Sequence, residues 1–160
     1  MIHVGVEVEK NGNIVTIQKL DKIKIEHMTK RIYFATSFKH RKEYENLYQK
    51  MISYFDKYGI EVYSFAFEYG GSTENKIMLK NALNEMDKSD LIIADGSYDS
   101  VGVGMEVGYF KGKNKKVIYL HKKDSFLDEN MDGVSDYVVD YLTEDDVLNW
   151  LKDNIEVLSS

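Results

Sequence analysis

Apolar residues alternate strictly near the start of the chain: Ile2, Val4, Val6 and Val8 share one face of IHVGVEVE. A period of two predicts a strand with one side buried. Asn11-Gly12 follows, the pair that suits a tight hairpin turn. IVTIQKL and KIKIE continue as strands, so residues 1–29 are expected to form a small β-hairpin or meander extension to a domain spanning 30–160. From residue 30 the period changes. RIYFAT (31–36) is a short buried strand, and Tyr44, Leu47, Tyr48, Met51, Ile52 and Phe55 then follow the spacing of one apolar helix face. Gly59 stands where a helix ends. IEVYSFAF (60–67) predicts a second strand, and Leu79, Ala82, Leu83 and Met86 a second helix face. DLIIAD (90–95) is apolar throughout, as a strand buried on both sides must be. A glycine-rich loop leading into a helix, a strand at KVIYLHK (116–122) and another at DYVVDY (136–141) complete the alternation. Thr143 with Asp146 predicts a capping box opening a helix to about residue 154.

Alternating strands and helices imply a parallel sheet covered on both faces. With five strands the expectation is an α/β, flavodoxin-like (Rossmann-like) three-layer sandwich in the order 2-1-3-4-5. Ligands bind such sheets at the carboxyl ends of the strands, where the order reverses. That point brings together ATSFKHR after the first strand and DGSYDSVGVGME after the third.

Composition narrows the chemistry. The chain has no cysteine, which removes disulfides, thiolate metal sites and thiol nucleophiles. A net charge of −6 disfavours a nucleic-acid partner. No apolar run is long enough to span a membrane, and the first residues lack a signal-peptide layout, so a cytoplasmic protein is expected. His3, His27, His40 and His121 show no metal-ligand spacing, and no metal or cofactor is expected. DENMDG (128–133) matches the first half of a calcium loop, but Val139 stands where the last ligand belongs, and a polar turn is the expectation.

The candidate chemistry lies in SVGVGMEVGY, residues 100–109. Its spacing is one residue too long for the dinucleotide fingerprint, and it follows the third strand rather than the first. Glu106 is expected in the first turn or so of the helix, where the dipole favours a carboxylate. An ionised carboxylate facing a pocket can attack an acetal carbon. A plain dipole-stabilising acid explains the Glu equally well, though not the flanking Gly102, Gly104 and Gly108. His40 with Arg41 fits either an anion site or a solvated helix start.

RIYFATSF together with SDLIIADGSYDSVGVGMEVGYFKGKNKKVIYL resembles the nucleoside 2-deoxyribosyltransferase family, which includes 2'-deoxynucleoside 5'-monophosphate N-glycosidases. The resemblance covers residues 31–142 and is most specific over 100–109. It implies that Glu106 attacks C1' of a deoxyribosyl group and that Tyr33 positions the glutamate or the sugar. It implies phosphate contacts at Ser37 and Ser100, and a site shared within a homodimer or higher homo-oligomer. His40, Arg41, Gly102, Gly104 and Met105 are carried with these as substrate-binding positions. The implied substrate is a deoxynucleoside or its monophosphate, with water or a second base as acceptor.

Two departures from the family pattern stand out. The family's Asp on the helix before the third strand is Ala82 here; a register shift would bring in Asn81 or Glu85, and Asp95 at the strand's end is another candidate acid for the departing base. The loop expected to reach a neighbouring subunit, DSFLDENMDG, is acidic where the monophosphate hydrolases carry Ser and basic residues. The alternative expectation is therefore a non-catalytic nucleotide-binding or assembly module of the same fold.

Overall fold

The computed structural model describes residues 29–125 and 128–158. The hairpin expected over 1–29 lies outside the described residues, apart from Thr29. Five strands form one parallel sheet: β1 (Arg31–Ala35), β2 (Glu61–Tyr63), β3 (Leu91–Asp95), β4 (Lys116–Lys122) and β5 (Tyr137–Tyr141). Their order is β2-β1-β3-β4-β5, as the alternation predicts. Helices α1 (Glu45–Asp56), α2 (Phe65–Glu68), α3 (Asn75–Asp87), α4 (Val101–Gly112), α5 (Glu129–Val134) and α6 (Glu144–Asp153) complete the described elements, with short 3-10 turns at Arg41–Tyr44 and Ile155–Leu158.

The period of two in each strand divides the core. Ile32, Phe34, Leu91 and Ile93 pack with Leu47, Met51 and Phe55 of α1 and Val147 and Leu151 of α6. Tyr33, Ala35, Ile92 and Ala94 pack on the other face with Met86 of α3 and Val103, Val107 and Phe110 of α4. Gly59 ends α1 with φ +67°, a conformation that favours glycine. Thr143 Oγ1 accepts from Asp146 N at 3.4 Å while Asp146 Oδ2 accepts from Thr143 N at 2.8 Å, so the capping box of α6 forms. No helix among the described residues is long and apolar enough to cross a membrane.

Four expectations need correction. The second strand is Glu61–Tyr63 rather than 60–67. Ser64 O accepts from Phe67 N and Glu68 N, turning SFAF into α2. Phe65 stacks on Tyr69 and Phe67 on Tyr48, so aromatic contacts on both sides hold the chain over the sheet's end. The glycines at 102, 104 and 108 lie within α4 instead of in a preceding loop, because Ser100 caps the helix with its side chain on Val103 N. DENMDG is largely the short helix α5, capped by Asp128 Oδ1 on Asn130 N at 2.8 Å. Leu79, expected on the buried face of α3, is 42% exposed, because that end of the helix overhangs a cleft.

Candidate active site

Glu106 stands in the second turn of α4, not the first. That moves it beyond the reach of the helix-end field, which fades within the first turn. Its carboxylate lines a cleft of about 210 Å³ at the carboxyl end of β1. Phe38, Phe65, Met78, Leu79 and Ala82 supply an apolar wall, and Tyr33, Thr36 and Ser100 are the other polar side chains. Tyr33, fully buried on β1, donates its hydroxyl to Glu106 Oε1 at 2.7 Å. Its ring packs against Tyr63 and Phe110, so the donor is held in place.

The electrostatics reverse the expectation of a readily ionised acid. Desolvation raises the Glu106 carboxyl to about 7, and the Tyr33 hydrogen bond only partly opposes it. Burial, and then the Glu106 charge, push the Tyr33 phenol far upward, so Tyr33 stays a donor. A carboxylate poised near neutrality, with one oxygen held and a largely apolar cleft around it, suits attack on an electrophilic carbon or proton exchange.

Asp95 does not join this cleft. Alternation along β3 sends Ala94 towards α4 and Asp95 to the opposite face of the sheet. There it accepts from Tyr141 Oη at 2.6 Å, Tyr44 Oη at 2.9 Å and Ser97 N at 2.9 Å. Burial raises its carboxyl, opposed by those bonds. Its geometry ties the turn after β3 to β5 and the 3-10 turn before α1, on the other side of the sheet from Glu106.

The expected anion ligands separate in the same way. Ser100 lines the cleft as the cap of α4. Ser37 is buried beside it without lining it. His40 stacks on Tyr98 with ring centroids 3.8 Å apart and meets Glu43 Oε1 at 3.1 Å. Arg41 donates to the Phe38 carbonyl at 2.6 Å and lies over the Phe38 ring. Gly102 lines the cleft, and a Cβ built there meets nothing closer than Ser100 Oγ at 3.7 Å. Gly104 lines an adjoining cleft of about 340 Å³, where a Cβ would press on Met131. Met105 faces outward and is 52% exposed. Among the described residues no cluster of His, Asp and Glu could hold a metal ion.

Ala82, 6% exposed, lines the same cleft as Glu106. Thr36 and Phe38 line the cleft without having been singled out in the sequence, although their place just beyond the carboxyl end of β1 is a sufficient signal.

A parallel 2-1-3-4-5 sheet with a tyrosine-held glutamate at its switch point defines a class of α/β protein with a small-molecule cleft. The profile of the nucleoside 2-deoxyribosyltransferase family matches residues 32–147, and the chain belongs to that family. A protein of Syntrophotalea carbinolica, provisionally named 2'-deoxynucleoside 5'-phosphate N-hydrolase 1, is 23% identical over 96 residues, which is 57% of this chain and 68% of that protein. The CMP N-glycosidase of Clostridium botulinum superposes with a TM-score of 0.59 at 23% identity, over 77% of this chain and 98% of that one. A 2-deoxyribosyltransferase of Bacillus psychrosaccharolyticus gives 0.55 at 19% identity, over 74% and 90% of the two chains. The two structures attest the shared fold.

Proposed function

We propose that the protein cleaves the N-glycosidic bond of a 2'-deoxynucleoside or its 5'-monophosphate through a covalent intermediate on Glu106. The observation that carries this reading is the Glu106 carboxylate, fixed by Tyr33 at 2.7 Å within an apolar cleft. The base lies against Phe65, Met78, Leu79 and Ala82, with C1' over Glu106. The C1'–N bond breaks through an oxocarbenium-like transition state, its electron pair leaves with the base, and a C1'–O bond to Glu106 forms. The departing nitrogen takes its proton from solvent, since Ala82 offers none. Water then attacks C1' and restores the carboxylate; a second base in place of water gives transfer. Tyr33 keeps Glu106 in line and disperses its charge through both steps. Family membership and the names of the relatives support the bond cleaved.

Ser100, at the start of α4, is the position best placed for a 5'-phosphate, where unpaired helix N–H groups favour an anion. Chromatography of the protein incubated with each deoxynucleoside and its monophosphate should reveal free base. The monophosphate should react with at least about tenfold higher kcat/KM, the worth of one charge-assisted contact. No base from any substrate contradicts the proposal and favours a binding module, the reading that Ala82 in the wall supports. Equal rates for nucleoside and monophosphate would remove the phosphate contact and keep the chemistry.

We further propose that the working form is at least a homodimer. Val101, 80% exposed, and Met105 form an apolar strip on the outer side of α4, beside the cleft. Sedimentation at micromolar concentration should give twice the chain mass or more; a monomer throughout would contradict it.

A further inference from the structure

The cleft holds one polar group without a partner. Of its four polar side chains, Tyr33 and Glu106 bind each other, and Ser100 Oγ accepts from Val103 N. Thr36 Oγ1 is buried, in a residue 6% exposed, and has no hydrogen-bond partner among the described residues. An unpaired buried hydroxyl costs stability, and buried polar atoms in folded proteins are rarely left so. Thr36 lines the Glu106 cleft while its hydroxyl is covered, and a turn about χ1 would bring that hydroxyl into the cleft. That supplies a reason: the partner arrives with the ligand.

Resting on the function proposed above, we infer that Thr36 hydrogen-bonds a hydroxyl of the substrate's furanose ring and so sets sugar selectivity. Attack by Glu106 requires C1' within about 3–3.5 Å of its carboxylate. The wall of Phe65, Met78, Leu79 and Ala82 matches the faces of a base and offers no hydrogen bond to a sugar. Ring hydroxyls therefore fall to the polar corner of Thr36 and Ser100. A threonine hydroxyl both donates and accepts, which is the complement of another hydroxyl. The 2'- and 3'-hydroxyls share that chemistry, and only analogues separate them.

The test uses Glu106→Gln protein, which binds without turnover, and the nucleotide whose base the wild type releases fastest. Calorimetric titration compares its ribo, 2'-deoxy and 2',3'-dideoxy forms. A 3' contact makes the 2'-deoxy form bind about three- to tenfold more tightly than the dideoxy form; a 2' contact makes the ribo form exceed the 2'-deoxy form by a like factor. Adding Thr36→Val should abolish that one difference, and Thr36→Ser should retain it. Thr36→Val alone, without ligand, should melt no lower than wild type, because no protein hydrogen bond is lost. The inference is overturned if neither pair of analogues is discriminated, if Thr36→Val keeps the discrimination, or if it lowers the ligand-free melting temperature. Base release by the wild type in the preceding screen separates these outcomes from failure of the functional reading, which would show as no release at all and would take the inference with it.

Discussion

Glu106→Gln is expected to slow base release by at least about 10³-fold while making the protein more stable above neutral pH. The loss follows from removing the nucleophile, since an amide oxygen forms no lasting bond to C1'. The gain follows from desolvation. The folded carboxyl titrates near 7, against an ordinary value of 4.5. A carboxyl raised in the folded state contributes stability that is complete below its unfolded value and disappears as pH rises through its folded value. The wild type therefore loses on the order of 3 kcal/mol between those limits, and the neutral glutamine does not. Glutamine can still accept from Tyr33, so the fold is kept. Thermal unfolding from pH 4 to 8 should show the two proteins converging in acid and separating by pH 8, the variant higher. In the wild type, kcat/KM should rise with pH through about 7 as Glu106 ionises. If Glu106 were only a structural acid, the variant would keep its activity.

Ala82→Asp carries the second large effect. The residue lines the same cleft as Glu106 and is nearly buried. A carboxyl introduced there meets an apolar wall and a like charge, and both raise its pKa. It is thereby kept protonated near neutral pH, as a proton donor to a departing base must be. General acid catalysis contributes about 10²–10⁴-fold, so base release should increase within that range. The increase should be smallest for bases that leave readily without protonation. A fall in melting temperature with unchanged turnover would contradict this, and would make position 82 a packing site alone.

The sheet was legible because its strands are short apolar runs separated by helical periods, as at 116–122, where the expected and observed bounds coincide. The overrun of β2 has a physical source. Aromatic residues suit a strand and an aromatic stack alike, and only the positions of Tyr48 and Tyr69 decide for Phe65 and Phe67. The glycines of α4 oppose helix by propensity, yet Ser100 caps the helix and Val103, Val107 and Phe110 bury one side of it. Glu106 was visible as a lone acid among glycines, whereas its elevated pKa was not, since that depends on which groups surround it. Asp95 was misread because LIIAD is apolar on both faces. A strand buried on both sides carries no alternation to say which way its last residue points. Thr36 had only its place just beyond β1 to mark it; what sets it apart from its neighbours is the buried, unpaired hydroxyl.

The central claim is a glycosyl bond to Glu106, and intact-protein mass spectrometry with peptide mapping tests it most directly. The protein is incubated with a 2'-fluorinated form of its best substrate, in which the fluorine slows breakdown of the intermediate, and then quenched in acid. The account predicts an added mass equal to the fluorinated glycosyl group, located on the peptide that contains Glu106 and absent from Glu106→Gln. Base release by the wild type with no adduct on that peptide, or with the adduct on another residue, would contradict it.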